Sequence, residues 1–395
     1  MPTFRPDNPL HYCLRKQRGA ALMVMLVILI VGASAILLSS LNSATLLSER
    51  NKITSNALAQ AKDGLIGRAV SDANHPGSLP CPDTNDDGTG ESTVGQPGNN
   101  CPGYIGRLPW KTLGLPDLRD ESGERLWYAL SPSFRDSASN FINSNTNGTL
   151  QVYDNSGTVL LTPTSSEAVA IIIAPGAIVA SQQRDTVNQS LAQNYLDIGP
   201  NNVNNSASGG PFIAANKTNS FNDRLIIITT RDIISVVEKR VAKDLATAFA
   251  SYLTNNGNKY PYPANFNSCT STSACPSDNT VCLGKIPLTA ITTYLPNTWI
   301  ANNNWFDIVY YTAGTNFMSG GMGMGMGCAT TLNVSGVSAS ALFIMPGISL
   351  NGISRSISLN LINMADYFED SENQNLDATY VTPSTSSNDT LKILP

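Results

Sequence analysis

The nine residues DTNDDGTGE, from Asp83 to Glu91, carry the clearest pattern of metal-ligating side chains in the sequence. Asp83, Asn85 and Asp87 alternate and a glycine follows them, as in the first half of a calcium loop, where oxygens point inward and glycine permits a sharp turn. The twelfth position of such a loop is Val94 here, so Glu91 is the one late carboxylate. The pattern predicts either a calcium site formed by Asp83, Asn85, Asp87 and Glu91 or a polar turn that binds nothing. No other cofactor is expected.

Side-chain sets for catalysis are missing from the sequence. Outside the first 19 residues His75 is the only histidine, so Ser-His-Asp, Cys-His and histidine-based zinc chemistry lack their parts. The stretch Gly321–Gly327, GMGMGMG, is not followed by lysine and therefore does not match a phosphate-binding loop. It fits a soft thioether site for copper(I) or a flexible surface loop. We expect no catalytic residues and no enzymatic activity.

The cysteine count favours disulfide bonds. The chain has 7 cysteines, and Cys13 lies in a short N-terminal segment that we expect to be removed. The remaining six can all pair in an oxidising compartment, and zinc binding is the alternative. We expect a Cys81–Cys101 bond in the first half of the chain and pairing within the second half for the other four, which are Cys269, Cys275, Cys282 and Cys328.

The N-terminal region combines a basic cluster with a long uncharged run. Arg15, Lys16 and Arg18 precede residues 20–48, which contain no charged residue and no histidine. The run is too long for the apolar core of a secretory signal, and about 20 apolar helical residues suffice to cross a bilayer. The sequence therefore predicts a transmembrane and stem helix at 20–48. The positive-inside rule puts the following residues outside the inner membrane.

The junction KQRG, directly followed by an apolar run that opens at Ala20, resembles the leader of type IV pilins and of the minor pseudopilins of type II secretion. This resemblance implies that a prepilin peptidase cuts between Gly19 and Ala20. It also implies a glutamate at the fifth mature position, where this chain has Val24. A few minor members of the family share that departure. The plain alternative is an uncleaved single-span anchor.

Beyond the stem, the sequence repeats itself. The helical pattern of the stem continues to HPG at 75–77, and a second amphipathic helix starts near Thr230 or Asp232 and ends at NNG, 255–257. Seven short segments after the first helix recur in the same order after the second. They are LPCPDTN and YPYPANF, GRLPW and GKIPL, LGLPD and TYLPN, RLWYAL and DIVYYT, AIIIAPG and ALFIMPG, NYLDIG and DYFEDS, and NDRLIII and NDTLKIL.

The repeat predicts two tandem modules, each a helix packed on an antiparallel sheet, as in the globular head of a pilin. The predicted fold class is α+β, with a long N-terminal transmembrane helix that continues into the first of these pilin-like modules. The predicted domains are a prepilin leader at 1–19, the transmembrane and stem helix at 20–48, module 1 at 49–230 and module 2 at 231–395.

Composition excludes one class of partner and agrees with the family resemblance. Only 13% of the residues are charged and the net charge is −5, so nucleic-acid binding is not expected. The resemblance implies a minor structural subunit at the tip or in the initiation complex of a type IV pilus or type II secretion pseudopilus. Its partners would be other pilin or pseudopilin subunits, the prepilin peptidase and the membrane. The location would be the inner membrane, single pass, with the C-terminal part periplasmic or extracellular. The alternative is a membrane-anchored periplasmic binding or scaffold protein.

Overall fold

The structure is a computed structural model of the chain. It describes residues 18–162, 167–179, 182–266, 269, 275–319, 328–350, 355, 364–375, 377–384 and 387–394. Side chains are not described at 18–21 and 35–44. Residues 1–17 of the predicted leader (1–19) and the predicted loop 321–327 lie outside the described residues. Contacts divide the chain into two compact units, Met1–Ile53 and Thr54–Pro395.

The described residues form an α+β fold. The α-helices are α1 Arg18–Ser71, α2 Thr230–Asn255, α3 Leu288–Ile291, α4 Trp299–Asn302 and α5 Ser371–Gln374. The strands are β1 Ile105–Arg107, β2 Trp127–Leu130, β3 Val152–Tyr153, β4 Ala168–Ala174, β5 Phe212–Ile213, β6 Arg224–Thr229, β7 Leu283–Lys285, β8 Tyr310–Ala313, β9 Leu332–Val334, β10 Val337–Ala339, β11 Ala341–Met345, β12 Thr379–Tyr380 and β13 Thr390–Leu394.

The prediction of a membrane-spanning N-terminal helix is wrong. Among the described residues, none of the helices is both long enough and apolar enough to cross a membrane. The fold class with a transmembrane helix at 20–48, and the single-pass inner-membrane location with a periplasmic or extracellular C-terminal part, are corrected accordingly.

Two four-stranded antiparallel sheets in Thr54–Pro395 have the same strand order. The first is β1-β2-β4-β6 and the second is β7-β8-β11-β13. The central strands β4 and β11 read AVAIIIA and ALFIM and are buried at every position, as expected for strands that are covered on both faces. Each sheet is accompanied by a small parallel pair, β3 with β5 and β9 with β12, and in the second copy β9 also pairs antiparallel with β10. The topology therefore repeats within the chain.

Side-chain contacts repeat as well. Tyr128 on β2 donates its hydroxyl proton to the carbonyl oxygen of Pro80 at 3.2 Å, and Tyr311 on β8 donates to that of Pro261 at 2.9 Å. Tyr128 pairs with Gly106 across the sheet, as Tyr311 does with Gly284. The sequence match of RLWYAL with DIVYYT is therefore one residue out of register. It aligned the wrong tyrosine of the second copy, because two tyrosines are adjacent there.

A buried arginine lies beneath the loop after each central strand. Arg184 donates to the carbonyl oxygens of Gly176 at 2.6 Å and Tyr195 at 3.1 Å. Arg355 donates to those of Gly347 at 2.6 Å and Tyr367 at 3.2 Å in the same way. Both side chains are 2% exposed. The planar guanidinium satisfies several buried carbonyl groups at once, which an ammonium group cannot do with the same geometry.

In each copy, a buried asparagine is hydrogen-bonded to an aspartate at the start of the last strand. We call each of these pairs a polar lock. Asn205 donates to the Asp223 carboxylate at 3.0 Å and exchanges two hydrogen bonds with the backbone of Ile213. Asn373 donates to the Asp389 carboxylate at 3.2 Å and makes the same exchange with Val381. Burial raises the pKa of Asp223 well above its usual range, and the neighbouring Asp197 adds to the effect. These locks are polar parts of the core that both copies retain.

Helix α2 forms as the sequence predicts, from Thr230 to Asn255. Its N-cap is Thr229, which exchanges capping-box hydrogen bonds with Asp232. Lys62 of α1 pairs with the same carboxylate at 2.9 Å. The buried face of α2 belongs to one hydrophobic core that contains residues from both sheets. The predicted domain boundaries after residues 19, 48 and 230 stay a prediction.

We predict that replacing the buried arginines by lysine destabilises the fold. Arg184→Lys and Arg355→Lys each leave buried carbonyl groups unpaired, which should lower the free energy of unfolding by about 2–4 kcal/mol. Urea denaturation of each variant measures the effect. The control is Arg231→Lys on the exposed face of α2, where a change within about 0.5 kcal/mol is expected. If the two buried variants lost no more free energy of unfolding than the control, the structural role of Arg184 and Arg355 would be contradicted.

Candidate functional site

The most unusual surface in the described residues is the first part of α1. Leu22 to Val31 are ten consecutive large hydrophobic residues, and their exposure runs from 54% at Leu26 to 74% at Met23. Monomeric soluble proteins rarely leave a contiguous apolar patch of more than a few hundred Å² open, and larger patches usually mark an interaction site. We call residues 22–34 the apolar segment.

The apolar segment is hydrophobic on every side of the helix. Ser34 is its only side chain with a hydroxyl, and this hydroxyl donates to the carbonyl oxygen of Ile30 at 2.7 Å. The segment therefore offers almost pure aliphatic surface without an unpaired polar side chain. Burying a Leu, Ile, Val or Met side chain contributes about 1.5–3 kcal/mol, so a partner that covered these ten side chains would gain on the order of 10 kcal/mol before the entropy cost of association.

The predicted processing residues lie at the start of this helix. Arg18 is the first residue of α1, so Gly19 and Ala20 fall in its first turn. Val24, at the position where the pilin family has glutamate, is 59% exposed within the apolar segment. The segment thus contains no carboxylate at this position. The structure does not test the cleavage, and the processing site stays a prediction.

The predicted calcium ligands form a tight turn in which their oxygens face backbone N–H groups. The Asp83 carboxylate accepts from the amides of Asp86 and Gly88, both at 2.7 Å. Glu91 accepts from the Thr84 amide through both oxygens at 3.0 Å. Burial raises the pKa of Asp83, although these amide contacts lower it. The oxygens thus stabilise the turn itself.

Asn85 and Asp87 cap the same turn. Asn85 accepts from the Asp87 amide at 3.0 Å, and Asp87 accepts from the Thr89 amide at 2.7 Å. The Thr89 hydroxyl also lowers the pKa of Asp87. In the part of the chain that the structure describes, no three His, Cys, Asp or Glu residues are grouped so that they could hold a metal ion. The calcium site stays a prediction, and the turn is complete without it.

Arginine side chains place positive charge next to this turn. Arg125 pairs with the Asp86 carboxylate at 2.9 Å and with Asp117 at 3.0 Å. Arg107 lies between the rings of Trp127 and Tyr195, with its guanidinium carbon 4.2 Å and 4.0 Å from their centroids. No sequence pattern predicts this arrangement, because the residues that meet here are far apart in the chain.

The structure contains disulfide bonds, which confirms that prediction. Cys81 is bonded to Cys101 in the first half. In the second half the bonds are Cys269–Cys275 and Cys282–Cys328. Among the cysteines that the structure describes, no bond links the two halves. The Cys81–Cys101 bond encloses the Asp83–Glu91 turn and restricts the unfolded chain there.

A buried carboxyl group joins the two halves of the core. Glu238 on α2 is 3% exposed and accepts a hydrogen bond from the Ser144 hydroxyl at 2.6 Å. Burial raises the pKa of Glu238 to about 7, while Ser144 and the charge of Arg355 lower it. Asp389 nearby also has its pKa raised to about 7, first by burial and then by Glu369. Paired carboxyls with raised pKa values occur at catalytic sites, but these are engaged by structural partners from the core.

Comparison with known proteins adds no relative, since no protein-family model, no curated protein and no solved structure matches this chain.

We predict that Glu238→Gln stabilises the protein at alkaline pH. A carboxyl whose pKa rises from 4.5 to about 7 on folding contributes stability that is fully present below pH 4.5 and is lost as the pH passes through about 7. Since a tenfold change in proton affinity is worth about 1.4 kcal/mol, the loss at pH 8.5 approaches roughly 3 kcal/mol. Glutamine avoids it and retains an oxygen for Ser144.

Urea denaturation at pH 5 and pH 8.5 checks this prediction. The variant should gain stability relative to the parent at pH 8.5 and differ little at pH 5. Glu49→Gln, at an exposed position of α1, is the matched control and should change neither value. A stability difference that is the same at both pH values would show that Glu238 is not protonated in the folded state near pH 5.

Proposed function

We propose that the protein is a minor structural subunit of a pilin-like filament, with the apolar segment of α1 as the surface that joins it to neighbouring subunits. The exposed run from Leu22 to Val31 is the observation that carries this proposal. In the family that the KQRG junction resembles, such N-terminal helices pack together in the filament interior. A helix that is apolar on every side suits a bundle in which neighbours surround it.

The same segment supports a position at the filament tip or in its initiation complex. In the family, the glutamate at mature position five meets the N-terminal ammonium of a neighbour inside the apolar bundle. Val24 offers no carboxylate, so an ammonium group next to it would be buried unpaired, which is costly. A subunit at one end of the filament avoids one such contact. The anchored alternative depended on the membrane-spanning helix and is not pursued.

Two charged substitutions in the apolar segment test the assembly surface. Leu26→Asp and Leu29→Asp place a carboxylate where we expect neighbouring helices, and each should remove the subunit from sheared filaments by tenfold or more. Quantitative mass spectrometry of the filament fraction gives the abundance. Val337→Asp, which alters an exposed side chain on β10, is the control and should leave incorporation unchanged.

The results separate the possible roles. We expect the unaltered subunit in few copies per filament, with fewer or shorter filaments when the gene is deleted. Abundance equal to that of the major subunit would contradict the tip position. Equal incorporation of Leu26→Asp, Leu29→Asp and Val337→Asp, or absence of the unaltered chain from filaments, would contradict the assembly proposal.

A second prediction concerns processing. Removal of the leader should leave Ala20 as the N-terminal residue, and Gly19→Val should block the cut because the family's peptidase acts after glycine. Intact-mass and N-terminal peptide analysis of the purified protein measures both. Gly32→Val is the control, since no heavy atom lies within 4 Å of a side chain added there. An intact Met1, or a cut beyond Ala44, would contradict the pilin-like assignment.

A further inference from the structure

An open groove of about 580 Å³ runs between α2 and the outer strand β13. Its helix side carries three alanines, which are Ala242, Ala246 and Ala250. The strand side is formed by residues 390–393, and Met345 of β11 completes the apolar lining. The groove lies wholly within Thr54–Pro395. Its walls are therefore parts of one compact unit.

The first copy shows what normally lies at this place. The buried positions Ala57, Ala61, Leu65 and Ala69 of α1 match Val237, Val241, Leu245 and Phe249 of α2 in spacing. In this alignment, α1 has a larger side chain at each position where α2 has one of the three alanines. They are Lys62 for Ala242, Ile66 for Ala246 and Val70 for Ala250. The groove therefore exists because α2 has small residues where α1 has large ones.

The free edge of the outer strand differs in the same way. β6 and β13 each stand at the end of their sheet, and every second residue of such a strand turns its N–H and C=O groups away from its neighbour. In the first copy, Lys62 donates to the edge carbonyl of Ile227 at 3.0 Å. The corresponding position next to Ile393 is Ala242, which has no side-chain donor. Among the described residues, the second copy therefore lacks the side-chain donor that caps this edge carbonyl in the first copy.

The charges around the groove indicate what kind of ligand it would bind. Lys239, Lys243 and Lys392 surround the apolar lining, and no acidic side chain is among the residues that form it. An added β-strand would satisfy the main-chain groups of β13. Its alternating side chains could turn apolar groups toward the alanines and carboxylates toward the lysines. Lysine on an edge strand also discourages pairing with another copy of the same edge.

We propose that this groove is a docking site for an extended acidic segment of a partner protein, which adds to β13 as a fifth strand. The proposal is independent of the filament assignment, because it uses no residue of the apolar segment. Filament incorporation and strand docking can therefore fail separately. The second copy would thus have acquired a binding function at a place that the first copy keeps closed.

A labelled peptide tests the proposal with the full-length protein. The probe is a fluorescein-labelled heptapeptide of alternating valine and glutamate, and its binding is followed by fluorescence anisotropy. We expect saturable binding. Ala242→Lys and Ala246→Ile install the residues of the first copy, and each should weaken binding by tenfold or more because the groove is filled. Thermal denaturation confirms that these variants fold.

Charge and main-chain variants complete the test. Lys243 is exposed, so the Lys243→Glu variant should fold normally and still bind the peptide about tenfold more weakly. Lys217→Glu, at an exposed site away from the groove, is the control and should have no effect. The same peptide methylated on alternate backbone nitrogens should not bind, because it cannot pair with β13. A peptide in which lysine replaces glutamate should not bind either.

Three outcomes would overturn the proposal. The first is no binding of the acidic peptide by the folded protein at millimolar concentration. The second is undiminished binding by Ala242→Lys and Lys243→Glu. The third is binding of oleate in the groove together with failure of the acidic peptide, which would identify an anionic amphiphile as the occupant instead of a strand.

Discussion

The fold depends on covering sheet faces with helices. An antiparallel sheet that is apolar on one face must bury that face against another element, and here one helix precedes each sheet in sequence. The buried positions of α1 beyond Ile53 and of α2 have the same spacing, and both helices contribute to one core. Small residues at Ala57 and Ala61 of α1 correspond to Val237 and Val241 of α2. The two helices thus meet one requirement with side chains of different size.

The same requirement explains where the copies diverge. Leu58 is a buried residue of the first copy, and the corresponding residue of the second copy is Glu238. A carboxyl group is tolerated there because Ser144 and Arg355 lie close to it, and the rise of its pKa on burial is why we expect the stability of this core to fall at alkaline pH. The polar locks around Asp223 and Asp389 were retained in both copies. The two copies therefore share these polar contacts, although they differ at helix positions such as Leu58 and Glu238.

Much of the repeated unit could be predicted from sequence, because its turns and strands keep Pro, Gly and β-branched residues in order. The matched segments AIIIAPG and ALFIMPG include the central strands, and NDRLIII and NDTLKIL include the outer ones. Arg184 and Arg355 were missed, although they follow Gly176 and Gly347 at equal distance. A single arginine among polar loop residues gives no periodic signal, and its carbonyl partners are specified by the folded backbone.

The errors have physical causes too. The hydropathy of a segment predicts that it will be buried away from water, but it does not distinguish burial in lipid from burial against protein. The described helices do not meet the length and hydropathy requirement for a membrane span. The calcium site is a different case, because it stays a prediction. The Asp83–Glu91 pattern shows that oxygen atoms lie in a turn, and such oxygens accept hydrogen bonds from backbone amides as readily as they bind a cation. Backbone amides are present in every turn, whereas a cation must come from outside.

The end of α1 has a mechanical consequence. Arg240 of α2 donates to the carbonyl oxygen of Val70, in the last turn of α1, and to that of Asp72, the residue that follows α1. Its guanidinium also lies over the ring of Trp299 in the second half, 4.9 Å from the centroid. A pulling force that travels along α1 would therefore reach α2 directly at this arginine as well as through the first sheet. Load would be shared by both copies from the start, so the second copy would be held under tension together with the first.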